Sequence, residues 1–115
     1  ALGCAQMEEL DFILENKRET ARRYKEYFEN YPGITFFQEP ENCRSNYWLN
    51  AIVMDSEAER DKFLEYMNKE GVMTRPVWGL MNKLRMFKEC QTDELKNTNW
   101  FEQRVVNIPS SVRLL

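Results

Sequence analysis

The apolar positions of this chain change period several times, and each change predicts a new element. From about Ala5 to Tyr31, Leu10, Ile13, Leu14, Ala21, Tyr24 and Phe28 recur mostly at steps of three and four. That spacing gathers side chains into one stripe on an α-helix, and Pro32-Gly33 supplies the stop. Such a helix is long for a small domain, and long helices often brace or connect domains. Ile34 to Gln38 is short, aromatic and β-branched, which predicts a strand. Glu39 to Asn46 is polar, contains Pro40 and reads as a loop. Tyr47 to Met54 is the clearest strand; both alternating faces are mostly apolar, which predicts a place in the middle of a sheet. Ser56-Glu57-Ala58-Glu59 has the form of a capping box, opening a helix that turns Phe63, Leu64 and Met67 inward and closes at Gly71. Val72 to Val77 predicts a third strand, with Pro76 at its end or at a sheet edge. Trp78 to Lys88 reads as a loop or short helix. A last helix is expected from Thr98 to Val106, presenting Phe101 and Val105. The order predicts one α+β domain over residues 1–115: a small three-stranded, mainly antiparallel sheet with helices on one face.

Composition narrows the chemistry. With 43% apolar residues in 115, the chain can build a core but not two domains. A net charge of -3 disfavours broad contact with nucleic acid. No apolar run approaches the ~20 residues of a membrane helix, and no stretch has the form of a signal peptide. Cys4, Cys43 and Cys90 are widely spaced and odd in number, which suits reduced thiols in the cytoplasm. Histidine is absent, so a Cys/His zinc site is ruled out and the side chain best suited to proton transfer near neutral pH is missing. Glycine is scarce and unclustered, leaving no phosphate cradle. The opening Ala1-Leu2-Gly3-Cys4-Ala5-Gln6 lacks both an initiator methionine and a helix cap, which suggests the interior of a longer polypeptide.

Two segments could carry binding. Thr74-Arg75-Pro76-Val77-Trp78 puts a guanidinium at a strand end beside a rigid proline and an indole. Arg75 could grip a phosphate or carboxylate with two prongs, and Trp78 could stack on a base or sugar; alternatively Arg75 pairs with a surface carboxylate and Trp78 covers the sheet edge. Ser45-Asn46-Tyr47-Trp48 opens the central strand with hydroxyl, amide, phenol and indole groups. Asn46 and Tyr47 suit a sugar or nucleotide or else the core, whereas Trp48 is expected in the core with its one polar handle satisfied. Lys83, Arg85 and Lys88, beside Asn82, could meet a diphosphate, although exposed solubilising charge is the commoner outcome. The acidic clusters Glu8-Glu9 and Glu57 to Asp61 read as solvated helix faces.

Five collinear segments carry a family resemblance. Leu2-Gly3-Cys4-Ala5-Gln6-Met7-Glu8-Glu9-Leu10-Asp11 resembles the segment following the cofactor core in DegT/StrS-type nucleotide-sugar aminotransferases. Lys17-Arg18-Glu19 with Ala21-Arg22-Arg23-Tyr24 is similar to its continuation, Ser45-Asn46-Tyr47-Trp48-Leu49-Asn50 to a strand of the small domain, Thr74-Arg75-Pro76-Val77-Trp78 to a turn, and Asn107-Ile108-Pro109-Ser110-Ser111 to a C-terminal signature. The strand and turn look most like the branch that aminates 4-keto sugars for nonulosonic acids such as legionaminic acid. The resemblance implies a C-terminal small domain of a homodimeric, cytoplasmic, PLP-dependent enzyme of aminotransferase fold type I. In that enzyme a lysine and an acidic residue of a separate large domain hold PLP, and an amino group, typically from glutamate, passes to the C4 ketone of a UDP- or GDP-linked sugar. It implies no cofactor and no catalysis for this chain alone, and it puts Tyr47, Arg75, Trp78 and Asn82 nearest the nucleotide-sugar substrate. The family's turn commonly has histidine where this chain has Asn82, and often proline where it has Arg85.

Two rival readings start from the residues themselves. One is a stand-alone regulatory module binding a small molecule on a ferredoxin-like sheet. The other is an RNA-binding α/β module, invited by Phe36 and Phe37 on a strand but opposed by the acidic balance and the element order.

Overall fold

In the computed structural model, which describes residues 2–113, the chain folds as α1 (Leu2–Glu8), α2 (Leu10–Phe28), β1 (Ile34–Phe36), β2 (Asn50–Met54), α3 (Glu57–Lys69), β3 (Arg75–Pro76), α4 (Lys96–Glu102) and β4 (Val105–Ile108). Two 3₁₀ turns, Met81–Lys83 and Arg85–Phe87, interrupt the long connection before α4. The sheet runs β1-β2-β4-β3, and every neighbouring pair is antiparallel. An α+β layer is therefore what forms, with four strands rather than the three expected. The fourth, β4, begins within the end of the expected last helix, at Val105, and runs two residues beyond it. Phe101 and Val105 do stand four apart, but α4 stops at Glu102, where the chain passes to β-branched Val105-Val106. Val105 pairs with Val53, and Val106 with Ile52.

The first helix begins earlier than its periodicity suggested and breaks at Glu9, whose φ of -97° and ψ of 5° lie outside the helical well. β2 begins at Asn50, three residues later than expected. Its predicted start is diverted by local side chains: Ser45 Oγ accepts from Tyr47 N at 3.0 Å, Asn46 Oδ1 accepts from Trp48 N at 2.9 Å, and Tyr47 adopts a left-handed φ of 45°. Polar side chains that capture nearby backbone N–H groups compete in this way with a strand ladder. The Ser56 cap is as predicted, its oxygen accepting from Glu59 N at 3.2 Å.

Ile52, Met54, Phe36, Val106 and Ile108 on one face of the sheet, with Ala21 of α2, make the core, and Tyr24, Phe28, Phe63 and Leu64 pack against it. Cross-strand partners point to the same side of an antiparallel sheet. Register therefore sets a second row, Ala51, Asn107 and Arg75, on the face turned away from α2 and α3. Side chains of α2 also fasten the segment after β4. Asn16 and Arg113 exchange two hydrogen bonds of 3.0 and 2.9 Å, Lys17 Nζ donates to Ser110 O at 2.7 Å, and Tyr24 Oη donates to Pro109 O at 3.0 Å.

Candidate functional site

The two segments singled out by sequence meet at one end of the sheet. Trp48, just before β2, stacks on Trp78, just after β3, with centroids 6.4 Å apart and planes tilted by 27°. Both indoles are open to solvent, at 67% and 70% exposure. Trp48 is thus not a core residue, contrary to expectation. The left-handed turn at Tyr47 exchanges the two aromatics: Tyr47 goes inward, stacking on Phe36 with centroids 6.4 Å apart, and Trp48 swings out.

Arg75 is exposed at the sheet edge. Its Nη2 lies 3.5 Å from the Met73 sulfur, rather than against the surface carboxylate that would neutralise it. The strand carrying it is only two residues long, so its position is fixed from outside. Thr74 is buried and bound by Asn68 of α3, whose Nδ2 donates to Thr74 O at 3.0 Å and to Thr74 Oγ1 at 2.9 Å. On the other side, Asn107 Nδ2 donates to Pro76 O at 3.4 Å. The sequence pattern gives no sign of Asn68; an asparagine in the last turn of a helix, seven residues before a strand, carries no periodic signal. Asn82 lies half-buried in the first 3₁₀ turn. Its neighbour Lys83 is drawn to Glu102 of α4 at 2.7 Å, which takes that cation out of the basic stretch considered for a diphosphate. The acidic cluster on α3 brackets Arg60, which pairs with Asp61 at 2.7 Å and donates to Glu102 O at 2.8 Å.

Behind Trp48 lies a charged clamp. Arg18 of α2 forks onto Glu39 with bonds of 3.1 and 2.6 Å, and its Nη1 also donates to Ser45 O at 2.7 Å. Glu39 accepts in turn from Ser45 N at 2.6 Å. The guanidinium sits 5.6 Å from the Tyr47 ring centroid, a cation–π contact, and Tyr47 Oη accepts from Glu39 N at 3.4 Å. An open groove of about 1020 Å³ runs past Arg18, Glu39, Arg44 and Tyr47, beside the clamp rather than the indole pair. The Arg18 fork, and then the Ser45 N–H, hold the Glu39 carboxyl down at about 2. Because this value is depressed below the unfolded one of ~4.3, the clamp's contribution is complete above pH ~4 and is lost as pH falls through about 2. We expect the Glu39 carboxyl carbon resonance to titrate near 2 in the native protein and to move up toward the ordinary carboxylate range in Arg18→Met.

Cys4, Cys43 and Cys90 are free and exposed. Among the described residues, no helix is long and apolar enough to cross a membrane. PLP needs an uncommitted lysine amine and an enclosing cradle. The Lys17 ammonium is taken up by the Ser110 and Trp48 carbonyls, and that of Lys83, five residues after Trp78, by Glu102. These two amines are therefore not free to hold that cofactor, and what the segments present to solvent is a pair of stacked indoles and the Arg75 guanidinium.

An antiparallel sheet of this order backed by a bracing helix is a fold found in solved aminotransferases. The chain superposes on TlmJ of Streptoalloteichus hindustanus with a TM-score of 0.87 at 19% identity, over 98% of this chain and 30% of that one. It matches PseC of Helicobacter pylori, an aminotransferase involved in the biosynthesis of pseudoaminic acid, with a TM-score of 0.87 at 20% identity, over 99% of this chain and 32% of that one. By sequence it is 27% identical over 113 residues to the GDP-perosamine synthase of Vibrio cholerae, covering 96% of this chain and 30% of that protein. The model of the DegT/DnrJ/EryC1/StrS aminotransferase family matches residues 1–115, and the chain belongs to that family. It spans about 30% of the length of the GDP-perosamine synthase it matches.

Proposed function

We propose that this chain is the C-terminal small domain of a PLP-dependent aminotransferase that aminates a 4-keto nucleotide sugar. Here it acts as a wall of the substrate pocket and supplies neither cofactor anchor nor acid–base group. The observation that carries the reading is the exposed Trp48–Trp78 pair, with an exposed Arg75 three residues before Trp78, in the segments that resemble the family's strand and turn. Aromatic faces suit the flat base or the apolar face of a sugar, and an arginine with no carboxylate partner among the described residues suits a diphosphate. Arg75, Trp78 and Asn82 keep the substrate-facing roles that the resemblance implies. Tyr47, turned inward, serves by presenting Trp48, which joins them. PLP and the lysine that holds it belong to the remaining part of a homodimeric enzyme, which takes its amino group from glutamate and works in the cytoplasm on precursors of cell-surface polysaccharide or of nonulosonic acids. The similarity to a GDP-perosamine synthase supports a nucleotide-linked sugar as substrate.

The test is made in the complete aminotransferase polypeptide. Removing an aromatic stacking partner costs about 1–3 kcal/mol, so Trp78→Ala should raise KM for the nucleotide sugar about tenfold while leaving KM for the amino donor unchanged. An unaltered nucleotide-sugar KM would remove the indole from the pocket and the reading with it. The stand-alone regulatory module makes the opposite forecast: this chain by itself would bind a nucleotide sugar as tightly as the complete polypeptide does.

A further inference from the structure

Trp48 owes its position to contacts made far from it in sequence. We propose that Arg18 and Glu39 are positioning residues for the indole pair: they lock the Glu39–Tyr47 loop so that Trp48 is held against Trp78 before any ligand arrives. This inference rests on the reading of that pair as substrate-facing, but its test does not. Arg18 binds both ends of the loop at once, Glu39 through its carboxylate and Ser45 through its carbonyl. Glu39 closes the same ring by accepting from Ser45 N. From Ser45 the order passes along the chain by two short bonds, Ser45 Oγ to Tyr47 N and Asn46 Oδ1 to Trp48 N. Tyr47 stays in its left-handed conformation, which a bulky L-residue adopts only when its surroundings dictate it. Here they do: the ring is pinned between Phe36 and the Arg18 guanidinium. On the other side, the neighbouring helical residue Lys17 reaches Trp48 O at 3.5 Å and Ser110 O at 2.7 Å. Adjacent cations on α2 thus hold the backbone on both sides of Tyr47, Arg18 at Ser45 O and Lys17 at Trp48 O. A fork that binds a carboxylate and a carbonyl together is a geometry that arginine supplies and lysine does not.

Two stacked indoles couple their strong ultraviolet transitions and give a paired positive and negative band in circular dichroism, which reports their mutual orientation and not overall folding. In this chain the couplet should vanish in Trp78→Phe and persist in Trp100→Phe, since Trp100 instead packs edge-on against Phe101. Arg18→Met and the isosteric Glu39→Gln should each lose the couplet while the backbone spectrum and the cooperative urea transition persist. Arg18→Lys should restore only part of it. A couplet of native amplitude in a folded Glu39→Gln or Arg18→Met protein would overturn the proposal, and so would a native protein with no Trp78-dependent couplet. Should Arg18→Met fail to fold, Glu39→Gln decides alone. A clamp-dependent couplet together with an unchanged nucleotide-sugar KM in Trp78→Ala would leave the positioning intact and overturn only the substrate role.

Discussion

Ile52→Ala is expected to remove a large part of the stability of this domain. Ile52 is wholly enclosed at the middle of β2, opposite Val106, which is equally enclosed. Cutting such a side chain back to a methyl loses its transfer free energy and leaves a cavity that a rigid sheet cannot close, at a cost of about 2–5 kcal/mol. A domain of this size has about 5–15 kcal/mol in total. With a urea slope of ~1–3 kcal/mol per molar, the unfolding midpoint should fall by roughly 2 M without a change of slope. Ile52→Val, which removes one methylene, should cost only ~1 kcal/mol. A midpoint for Ile52→Ala within experimental error of the native value would mean that this side chain is not at the centre of the core.

The second large effect is expected one step along the same strand. Asn50 is 1% exposed, and its N and Nδ2 both donate to Ser110 Oγ, at 2.7 and 3.3 Å. Its Oδ1 has no donor among the described residues. Asn50→Asp keeps the shape and replaces the donating amide with a carboxylate oxygen. Ser110 cannot compensate, because its own proton goes to Ile108 O. Burying that charge costs several kcal/mol, so the acid stays protonated in the folded state well above its unfolded pKa of ~3.9. The folded state then binds more protons than the unfolded one, and stability falls as pH rises from ~4 toward the folded pKa. Asn50→Asp should therefore be close to native in acid and several kcal/mol weaker at pH ~7. Denaturation midpoints of both proteins across that range give the answer; a constant difference between them would show that the site is wet.

These two residues also show what the sequence could and could not disclose. The apolar alternation that made Tyr47–Met54 a central strand is the pattern that encloses Ile52, and β2 is indeed an inner strand. The Ser56 cap likewise needed only four consecutive residues, although the Glu59 carboxylate goes to Lys62 rather than back to Ser56 N. The errors fell where position is decided from a distance. Trp48 looked like core because an alternating pattern is drawn on a straight strand. In the fold, Ser45, Asn46 and a clamp from α2 bend the chain at Tyr47 and reverse which aromatic faces water. β4 was hidden because Phe101 and Val105 satisfy a helical step, and only pairing with β2 and β3 makes residues 105–108 extended. Arg75 and Trp78 were legible as candidates from their chemistry, whereas Asn68, which places them, was not. An amide that reads a backbone six residues on leaves no mark on hydrophobic spacing.

The strand order has a consequence for how the polypeptide is made. β4 lies between β2 and β3, yet it is the last of the four to leave the ribosome. Until residues 105–108 emerge, β3 has no neighbour and β2 shows a bare row of amide and carbonyl groups beside Ile52, which invites pairing with another nascent chain. Ile52 and Val106 complete the core together, so the sheet closes late, in one cooperative insertion rather than strand by strand.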